Sequence, residues 1–315
     1  MLTAPKDILS QFPVRRTQKQ KEAFRMSVRS YAESLGYACR EEVGSFGCRN
    51  LVIGDPESAK FLVTAHYDTC AVLPIPNLIT PCNVWLFSLW QFAVLFGMLI
   101  VAVTIAVLAS IVFGENSMTQ WVGPAVYWGM LLWVYFGLPN MHNANDNTSG
   151  VITALEIARI MPDNQRGKVA FILFDLEEMG LIGSASYRKA HGPQVARQLV
   201  FNLDCVGDGD NLMLFPTNNL KKNPGKMTEL YRACGYFGKK SLLLREKGFA
   251  FYPSDQMNFP YGVGICALRK GKLGLYLSRI HTSKDTILDE TNINILRAAL
   301  TSFICCSAVT FGKEE

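Results

Sequence analysis

Charge is scarce in the middle of this 315-residue chain, and basic residues are missing there altogether. No Lys or Arg occurs between Lys60 and Arg159, and no charge of either sign occurs in residues 84–113 or 121–138. A membrane-spanning helix needs about 20 mostly apolar residues, with about 17 as the lower limit. The two uncharged segments therefore predict a hairpin of two transmembrane helices joined by a short polar turn. The alternative, two helices buried in a soluble core or dimer interface, is disfavoured because both segments are apolar on all sides.

Other absences narrow the class of protein. A net charge of +5 is too small to indicate a nucleic-acid partner, and we expect none. The nine cysteines include no C-x-x-C pair and are odd in number, which predicts buried thiols in a reducing compartment and no disulfide framework. Residues 1–16 contain charges and prolines and lack the apolar core of a signal peptide. Together with the apolar hairpin, these features predict an integral membrane protein whose remaining chain folds on the cytoplasmic side.

Outside residues 83–139, strand-like and helix-like patterns alternate along the chain. Such alternation predicts an α/β fold, here three α/β/α layers around a mixed central sheet. With 49% hydrophobic residues, the chain can bury one large core. We therefore expect one α/β domain made of residues 1–82 and 140–315, with the transmembrane hairpin at 83–139 inserted into it.

Periodicity places the individual elements. Apolar residues at helical spacing predict helices at 17–35, 151–160, 228–236 and 293–310. Short apolar runs predict strands at 47–53, 61–65, 169–174, 199–203, 264–268 and 273–277.

Residue types that bind metals come shortly after three of the predicted strands. They are His66 and Asp68 after the first, Glu177 and Glu178 after the second, and Asp204 after the third. Open α/β sheets bind ligands at the carboxyl ends of their strands, so the three groups should meet at one edge. Each group alone is weak evidence, because a histidine after a strand is more often structural and adjacent glutamates are usually a surface pair.

Two further motifs supply the same chemistry. Asp146 precedes the predicted helix at 151–160, and His281 stands in a loop ahead of Asp285. Zinc binds imidazole nitrogens and carboxylate oxygens, and two zinc ions about 3.5–4 Å apart can clamp the attacking and leaving oxygens of a displacement. The five motifs together therefore predict a hydrolytic centre.

The ordered set of motifs resembles the zinc exopeptidases of clan MH, which include double-zinc aminopeptidases, glutaminyl cyclases and glutamate carboxypeptidases. The similarity covers residues 47–68 and 145–286. It lies in the segments VTAHYDT, ANDNTSGVITALEIARI, VAFILFDLEEMGLIGSASY, NLDCVG, SDQMNF and IHTSKDT. The resemblance implies a zinc-dependent aminopeptidase that holds two zinc ions per chain and removes residues from the N-terminus of a peptide.

The resemblance also assigns metal ligands. His66 and Asp204 would bind one zinc ion, Glu178 and His281 would bind the other, and the Asp146 carboxylate would bridge the two. It further implies a cis peptide bond between Asp146 and Asn147.

Two more roles follow from the same resemblance. Asp68 would orient His66, since ligating imidazoles usually donate their free N–H to an acceptor. Glu177 would take a proton from the attacking water and pass it to the leaving amine.

Substrate recognition is less well determined. The expected substrate-binding residues are Phe251, Tyr252, Ser254 and Asp255, in a loop where Gln256 replaces the histidine of many relatives. The tryptophan that glutaminyl cyclases place before the last histidine is Ile280 here, which favours hydrolysis over cyclisation.

Three functions stay open at this point. The first is an aminopeptidase for hydrophobic or membrane-proximal peptides, with the lipid bilayer as a second partner. The second is a metal-dependent amidase or a transferase like the glutaminyl cyclases. The third is an inactive membrane scaffold or receptor on the same fold. The sequence indicates no particular oligomeric state.

Overall fold

A mixed sheet of ten strands runs through the computed structural model, which describes residues 2–75, 77–246, 248–277 and 279–307. The strands are β1 (Cys39–Val43), β2 (Arg49–Ile53), β3 (Phe61–His66), β4 (Val169–Phe174), β5 (Leu199–Leu203), β6 (Asn211–Pro216), β7 (Gly235–Phe237), β8 (Lys240–Leu244), β9 (Gly262–Gly271) and β10 (Gly274–Tyr276). The helices are α1 (Ile8–Gln11), α2 (Gln18–Ser34), α3 (Val84–Phe113), α4 (Val122–Phe136), α5 (Gly150–Ile160), α6 (Ile182–Ala190), α7 (Gly192–Val195), α8 (Asn218–Lys221), α9 (Pro224–Arg232) and α10 (Glu290–Cys306).

The strand order positions the candidate site. Along the sheet the order is β1-β2-β4-β3-β5-β9-β6-β8-β7, with β10 paired to β9. The four neighbours β4, β3, β5 and β9 are mutually parallel, whereas β2–β4 and β6–β9 are antiparallel pairs. The carboxyl ends of β4, β3 and β5 therefore lie side by side, and His66 pairs with Phe174 in the register of β3 and β4.

Helices cover both faces of the sheet. Alternate residues of β3, such as Phe61 and Val63, pack with α2, α5 and α10 in one core cluster. Leu62 points the other way and packs in a second cluster with Tyr187 of α6. This alternation follows from the two-residue period of a strand. The predicted three-layer α/β/α fold with a mixed sheet is confirmed.

Several element predictions hold, and one is wrong. The strands predicted at 169–174 and 199–203 have those bounds. The helix predicted at 228–236 is displaced, because Pro224 occupies its first turn and the helix ends at Arg232, after which Gly235–Phe237 forms β7. The last helix is Glu290–Cys306, and residues 308–310 of its predicted range lie outside the described residues.

The predicted helical hairpin is present, but a pair of membrane spans is not. Helices α3 and α4 pack against each other. Because α3 has just one buried residue, Ala102, it is not a helix buried in the core of the domain. Within the described residues, α3 is the one helix long and apolar enough to cross a membrane. Helix α4 has 15 residues, fewer than the minimum of about 17, because Trp121 belongs to a 3₁₀ turn and Gly137 ends the helix.

Candidate metal centre

The three polar groups that follow β3, β4 and β5 come together at one edge of the sheet. His66 is the last residue of β3, and its Nε2 lies 3.6 Å from Oδ1 of Asp204, which follows β5. The same Nε2 lies 3.9 Å from Oε2 of Glu177, which comes after β4. The parallel order of these strands brings residues far apart in sequence into one cluster.

Asp146 lies at the centre of this cluster, with its two carboxylate oxygens facing different histidines. Oδ1 is 3.3 Å from Nε2 of His66, and Oδ2 is 2.9 Å from Nε2 of His281. His281 Nε2 in turn lies 3.4 Å from Oε2 of Glu178. The donors thus form two sets that share one carboxylate, with His66 and Asp204 on one side and His281 and Glu178 on the other.

The loop that carries Asp146 is held from several directions. The carboxylate of Asp285 accepts hydrogen bonds from the backbone N–H groups of Asn145 (2.8 Å) and Asp146 (2.9 Å). Asn147 donates from Nδ2 to the carbonyl of Leu203 at 2.8 Å, and the Asp146–Asn147 peptide bond is cis, as expected. Helix α5 begins at Gly150, where a Cβ would stand 2.3 Å from the Leu203 oxygen. Glycine is therefore required for this close approach.

Asp68 acts mainly on the loop of the two glutamates. Its carboxylate accepts hydrogen bonds from the backbone N–H groups of Glu177 (3.1 Å) and Glu178 (3.2 Å). Its distance to Nδ1 of His66 is 3.6 Å, longer than a hydrogen bond, and the backbone carbonyl of Asp68 is nearer at 3.3 Å. Asp68 therefore connects the β3 loop to the β4 loop.

The cluster concentrates negative charge in a buried place. Burial, with nearby carboxylates, raises the pKa of Glu177 well above its usual value and that of Glu178 to about 8. Burial alone would lower the pKa of His281, but the adjacent Glu178 and Asp146 carboxylates outweigh it and raise the pKa to about 9. The histidines have the opposite effect on Asp146, whose pKa is lowered despite its burial. A divalent cation would relieve this crowding of like charges.

The donors also fit a metal in their spacing. In a tetrahedral zinc site with bonds of about 2.0–2.2 Å, neighbouring ligand atoms lie about 3.3–3.6 Å apart. The contacts of His66 with Asp146 and Asp204, and of His281 with Glu178, lie in this range. Oδ1 of Asp204 and Oε1 of Glu178 are buried without a hydrogen-bond partner. Buried oxygens of this kind need a partner, and a cation between the two sets of donors would supply one.

Two residues at the centre were missed by sequence reasoning. Cys70 offers a thiol within 4.8 Å of donor atoms of Glu178 and His281. Its position two residues after Asp68 is a signal that could have found it.

Arg15 is the second missed residue and is fully buried. Its guanidinium donates to the carbonyl of Tyr67 and to Oγ1 of Thr148 (3.0 Å), and its N–H donates to Oγ1 of Thr69 (3.0 Å). Burial lowers its pKa to about 10 in spite of the nearby Asp68 and Asp146 carboxylates. Arg15 thus joins the His66 loop to the Asp146 loop, and nothing in the polar N-terminal sequence distinguishes it.

The loop expected to bind substrate lies mostly behind the centre. The Tyr252 hydroxyl donates to the carbonyl of Asp204 at 3.0 Å, and Ser254 accepts from Nδ2 of Asn202 at 2.8 Å. Asp255 accepts from the hydroxyl of Ser184. These three residues of the loop are buried, so they support the donors from behind. Phe251 is half-buried and contacts Phe87 of α3, with ring centroids 5.8 Å apart.

A family comparison agrees with this geometry. The profile described as Peptidase family M28 matches residues 134–303, more than half of the chain. The chain belongs to peptidase family M28. This M28 chain carries its first motif, His66 and Asp68, outside the matched region, and α3 and most of α4 lie between that motif and the match.

A curated relative is similar over a shorter stretch. Aminopeptidase YwaD of Bacillus subtilis (strain 168) is 38% identical over 76 residues, which is 23% of this M28 chain. The aligned stretch spans 17% of the length of that aminopeptidase.

Solved structures share the fold across nearly the whole chain. A Zn-dependent exopeptidase from Parabacteroides distasonis has a TM-score of 0.60 at 19% identity, with 96% of each chain covered. A leucine aminopeptidase precursor from Bacteroides thetaiotaomicron has a TM-score of 0.59 at 16% identity, covering 96% of this chain and 94% of that one. A Porphyromonas gingivalis glutaminyl cyclase has a TM-score of 0.59 at 18% identity, with 96% of each covered. At these identities the similarity shows the M28 fold alone.

Proposed function

We propose that this protein is a zinc-dependent aminopeptidase that removes N-terminal residues from peptides and holds two zinc ions per chain. The observation that carries the proposal is the position of Asp146, one carboxylate between two sets of donors. Membership of the M28 peptidase family supports the same activity.

Five residues would hold the metal. His66 and Asp204 would bind one ion, His281 and Glu178 the other, and Asp146 would contact both. Imidazole and carboxylate donors suit zinc better than magnesium. When bound, the two ions would polarise the scissile carbonyl and lower the pKa of water.

Glu177 would move the proton. Its carboxylate lies within reach of the same ion as His66 and Asp204, and the resemblance to the zinc exopeptidases assigns it to the attacking water instead of the metal. It would accept a proton from that water as the new C–O bond forms. When the C–N bond breaks, it would give the proton to the departing amine, so that proton transfer balances over the cycle. Hydrogen bonds from the backbone N–H groups of Glu177 and Glu178 to the Asp68 carboxylate would hold the loop that carries the base and the ligand.

An amidase or a glutaminyl cyclase remains the competing activity. Ile280 stands where the cyclases have a tryptophan, and it has no aromatic ring to offer the substrate. Its side chain is 1% exposed and packs in a core cluster. This favours peptide hydrolysis.

One substrate panel separates these activities. Purified protein should release leucine from leucine 4-nitroanilide and leave N-acetyl-leucine 4-nitroanilide intact. Cleavage of the acetylated compound would indicate an amidase, and conversion of an N-terminal glutaminyl peptide to its pyroglutamyl form would indicate a cyclase. No turnover of any of the three would favour the inactive scaffold.

The hairpin would attach the protein to a lipid bilayer by entering and leaving it on the same side, with α3 as its longer apolar arm. Apolar side chains along α3 face outwards, for example Phe92 (67% exposed) and Ile111 (73% exposed). The catalytic domain would lie on the cytoplasmic side. Membranes washed at alkaline pH should retain the protein until detergent is added, and external protease should not digest the catalytic domain in intact cells. Release by salt alone would contradict membrane insertion, and digestion in intact cells would contradict the orientation.

A further inference from the structure

A cavity of about 750 Å³ connects the candidate metal centre to the helical hairpin. Its inner end is formed by Asp68, Glu178 and His281, all members of the donor cluster or its support. Its outer wall is formed by one face of the hairpin, with Val94 and Met98 from α3 and Leu131 and Val134 from α4. The volume is in the range of about 300–1,000 Å³ that is common for ligand sites.

The backbone fixes the base of the hairpin to the metal centre. The N–H of Leu73, in the segment leading to α3, donates to the carbonyl of His281 at 2.9 Å. Ala71 forms a β-bridge with Pro139, in the segment that follows α4. The wall of the cavity is therefore tied to a proposed metal ligand at one end and to the His66 loop at the other.

A basic residue of the catalytic domain secures the same base. The guanidinium of Arg16 donates to the carbonyls of Tyr135 (2.8 Å) and Gly137 (2.7 Å) at the end of α4. The hairpin wall thus keeps a defined position relative to the site.

The polarity of the cavity changes along its length. The inner end carries carboxylates and an imidazole, whereas residues 84–113 and 122–136 contain no charged side chain. The two basic residues that line the cavity already have partners. Lys21 is 2.7 Å from Asp175, and Arg16 is bonded to the backbone of α4. An occupant that reaches from the centre to the hairpin would therefore pair polar groups with the inner end and apolar groups with the wall.

We infer that the inner face of the hairpin is part of the substrate site and selects peptides with large apolar side chains directly after the N-terminal residue. This inference rests on the proposed aminopeptidase activity. The N-terminal residue lies at the metal centre, and the following side chains pack against α3 and α4. Continuity of the cavity with the donor cluster identifies the occupant as the substrate of that centre. The hairpin thus has two faces with different roles, an inner one for substrate and an outer one for lipid.

The test compares two tetrapeptide amides that share an N-terminal leucine, Leu-Phe-Leu-Phe and Leu-Ser-Gln-Ser. The measured quantity is the ratio of kcat/KM for the apolar peptide to kcat/KM for the polar one, with full-length protein in detergent. Wild-type protein should give a ratio of at least about ten, because even one methylene group in an apolar pocket is worth about tenfold or more. Because both peptides begin with leucine, any preference of the metal centre for the N-terminal residue cancels in the ratio.

Paired substitutions locate the preference on the hairpin. Val94→Trp and Leu131→Trp fill the cavity from different helices and should each lower the ratio by about tenfold. Their controls are Val103→Trp and Leu132→Trp, at side chains 52% and 54% exposed that do not line the cavity. Both controls should keep the wild-type ratio. Four variants on two helices keep the test informative even if one of them fails to fold.

The outcomes separate this inference from the proposed function. A wild-type ratio near one, or equal ratios in cavity variants and controls, overturns the role of the hairpin while leaving the aminopeptidase intact. If wild-type protein cleaves none of the three compounds, leucine 4-nitroanilide and the two tetrapeptides, the proposed function itself is overturned.

Discussion

Nε2 of His281 lies 2.9 Å from Oδ2 of Asp146, and the second oxygen of that carboxylate lies 3.3 Å from Nε2 of His66. One side chain therefore stands between two imidazoles that are 215 residues apart in sequence (281 − 66 = 215). Any cation held by either imidazole would also contact Asp146, so the two positions depend on each other.

The first prediction concerns this shared carboxylate. Asp146→Asn should reduce bound zinc from about two ions per chain to one or fewer, because an amide is neutral and offers a single acceptor oxygen. Elemental analysis of purified protein measures the content. The matched control is Asp163→Asn, at a side chain 89% exposed, which should keep the wild-type content. Two ions in the Asp146 variant would contradict a bridging role.

A second prediction separates the neighbouring glutamates. Glu177→Gln should lower kcat by about 100-fold or more while zinc content stays at the wild-type value, because the amide keeps the shape and loses proton transfer. Glu178→Gln should instead lower zinc content. Glu22→Gln, at an exposed residue of α2, is the control and should change neither quantity. Near wild-type turnover in the Glu177 variant would reassign the base.

The third prediction concerns pH and the metal-free protein. Burial raises the pKa of Glu178 and of Asp285 to about 8, and the pKa of His281 is raised to about 9 by its carboxylate neighbours against the effect of burial. All three groups bind protons more tightly in the folded protein than in the unfolded chain. Their stabilisation is fully present below the unfolded pKa values and is lost as pH rises through the folded ones.

The melting temperature of chelator-treated protein should therefore fall as pH rises from about 5.5 to 8. Zinc neutralises the cluster, so the difference in melting temperature between zinc-loaded and metal-free protein should widen over the same interval. Thermal unfolding in detergent, with and without zinc, provides both curves. A difference that is constant with pH would contradict the assignment of these groups to the metal site.

A fourth prediction concerns Arg15. Arg15→Met leaves the Tyr67 carbonyl and the Thr148 hydroxyl buried without this donor, at a cost of about 1–3 kcal/mol for each unsatisfied group. The free energy of unfolding should drop by at least about 2 kcal/mol, and zinc affinity should weaken because both ligand loops lose a common support. The control is Arg29→Met, at an exposed ion pair with Glu33, which should leave both quantities unchanged. Unaltered zinc affinity in the Arg15 variant would limit that residue to a role in stability.

Sequence reasoning worked best where one physical constraint dominates a segment. The buried strands Val169–Phe174 and Leu199–Leu203 are continuous apolar runs that end at polar residues, so both their bounds and the edge they share could be predicted. The same holds for Val84–Phe113, where an uncharged run marks the helix. Pattern was insufficient at α9 and β7, where the helix begins at Pro224 and stops before Gly235.

Other features depend on tertiary contacts that no local pattern encodes. The position of α3 and α4 over the metal centre results from hydrogen bonds between Leu73 and His281 and from Arg16 to the end of α4. Burial of Tyr252, Ser254 and Asp255 likewise follows from how their loop packs behind Asp204. A motif placed these residues near the site, and packing decided which of them face it.

The most direct test of the account is zinc titration of metal-depleted protein, followed by hydrolysis of leucine 4-nitroanilide. Activity should be absent without metal, rise with added zinc and level off at about two equivalents per chain. The Glu177→Gln variant should bind the same zinc and remain inactive throughout. Hydrolysis that persists in the metal-depleted protein, or equal rates for the variant and the wild type, would contradict the assignment of a two-zinc aminopeptidase.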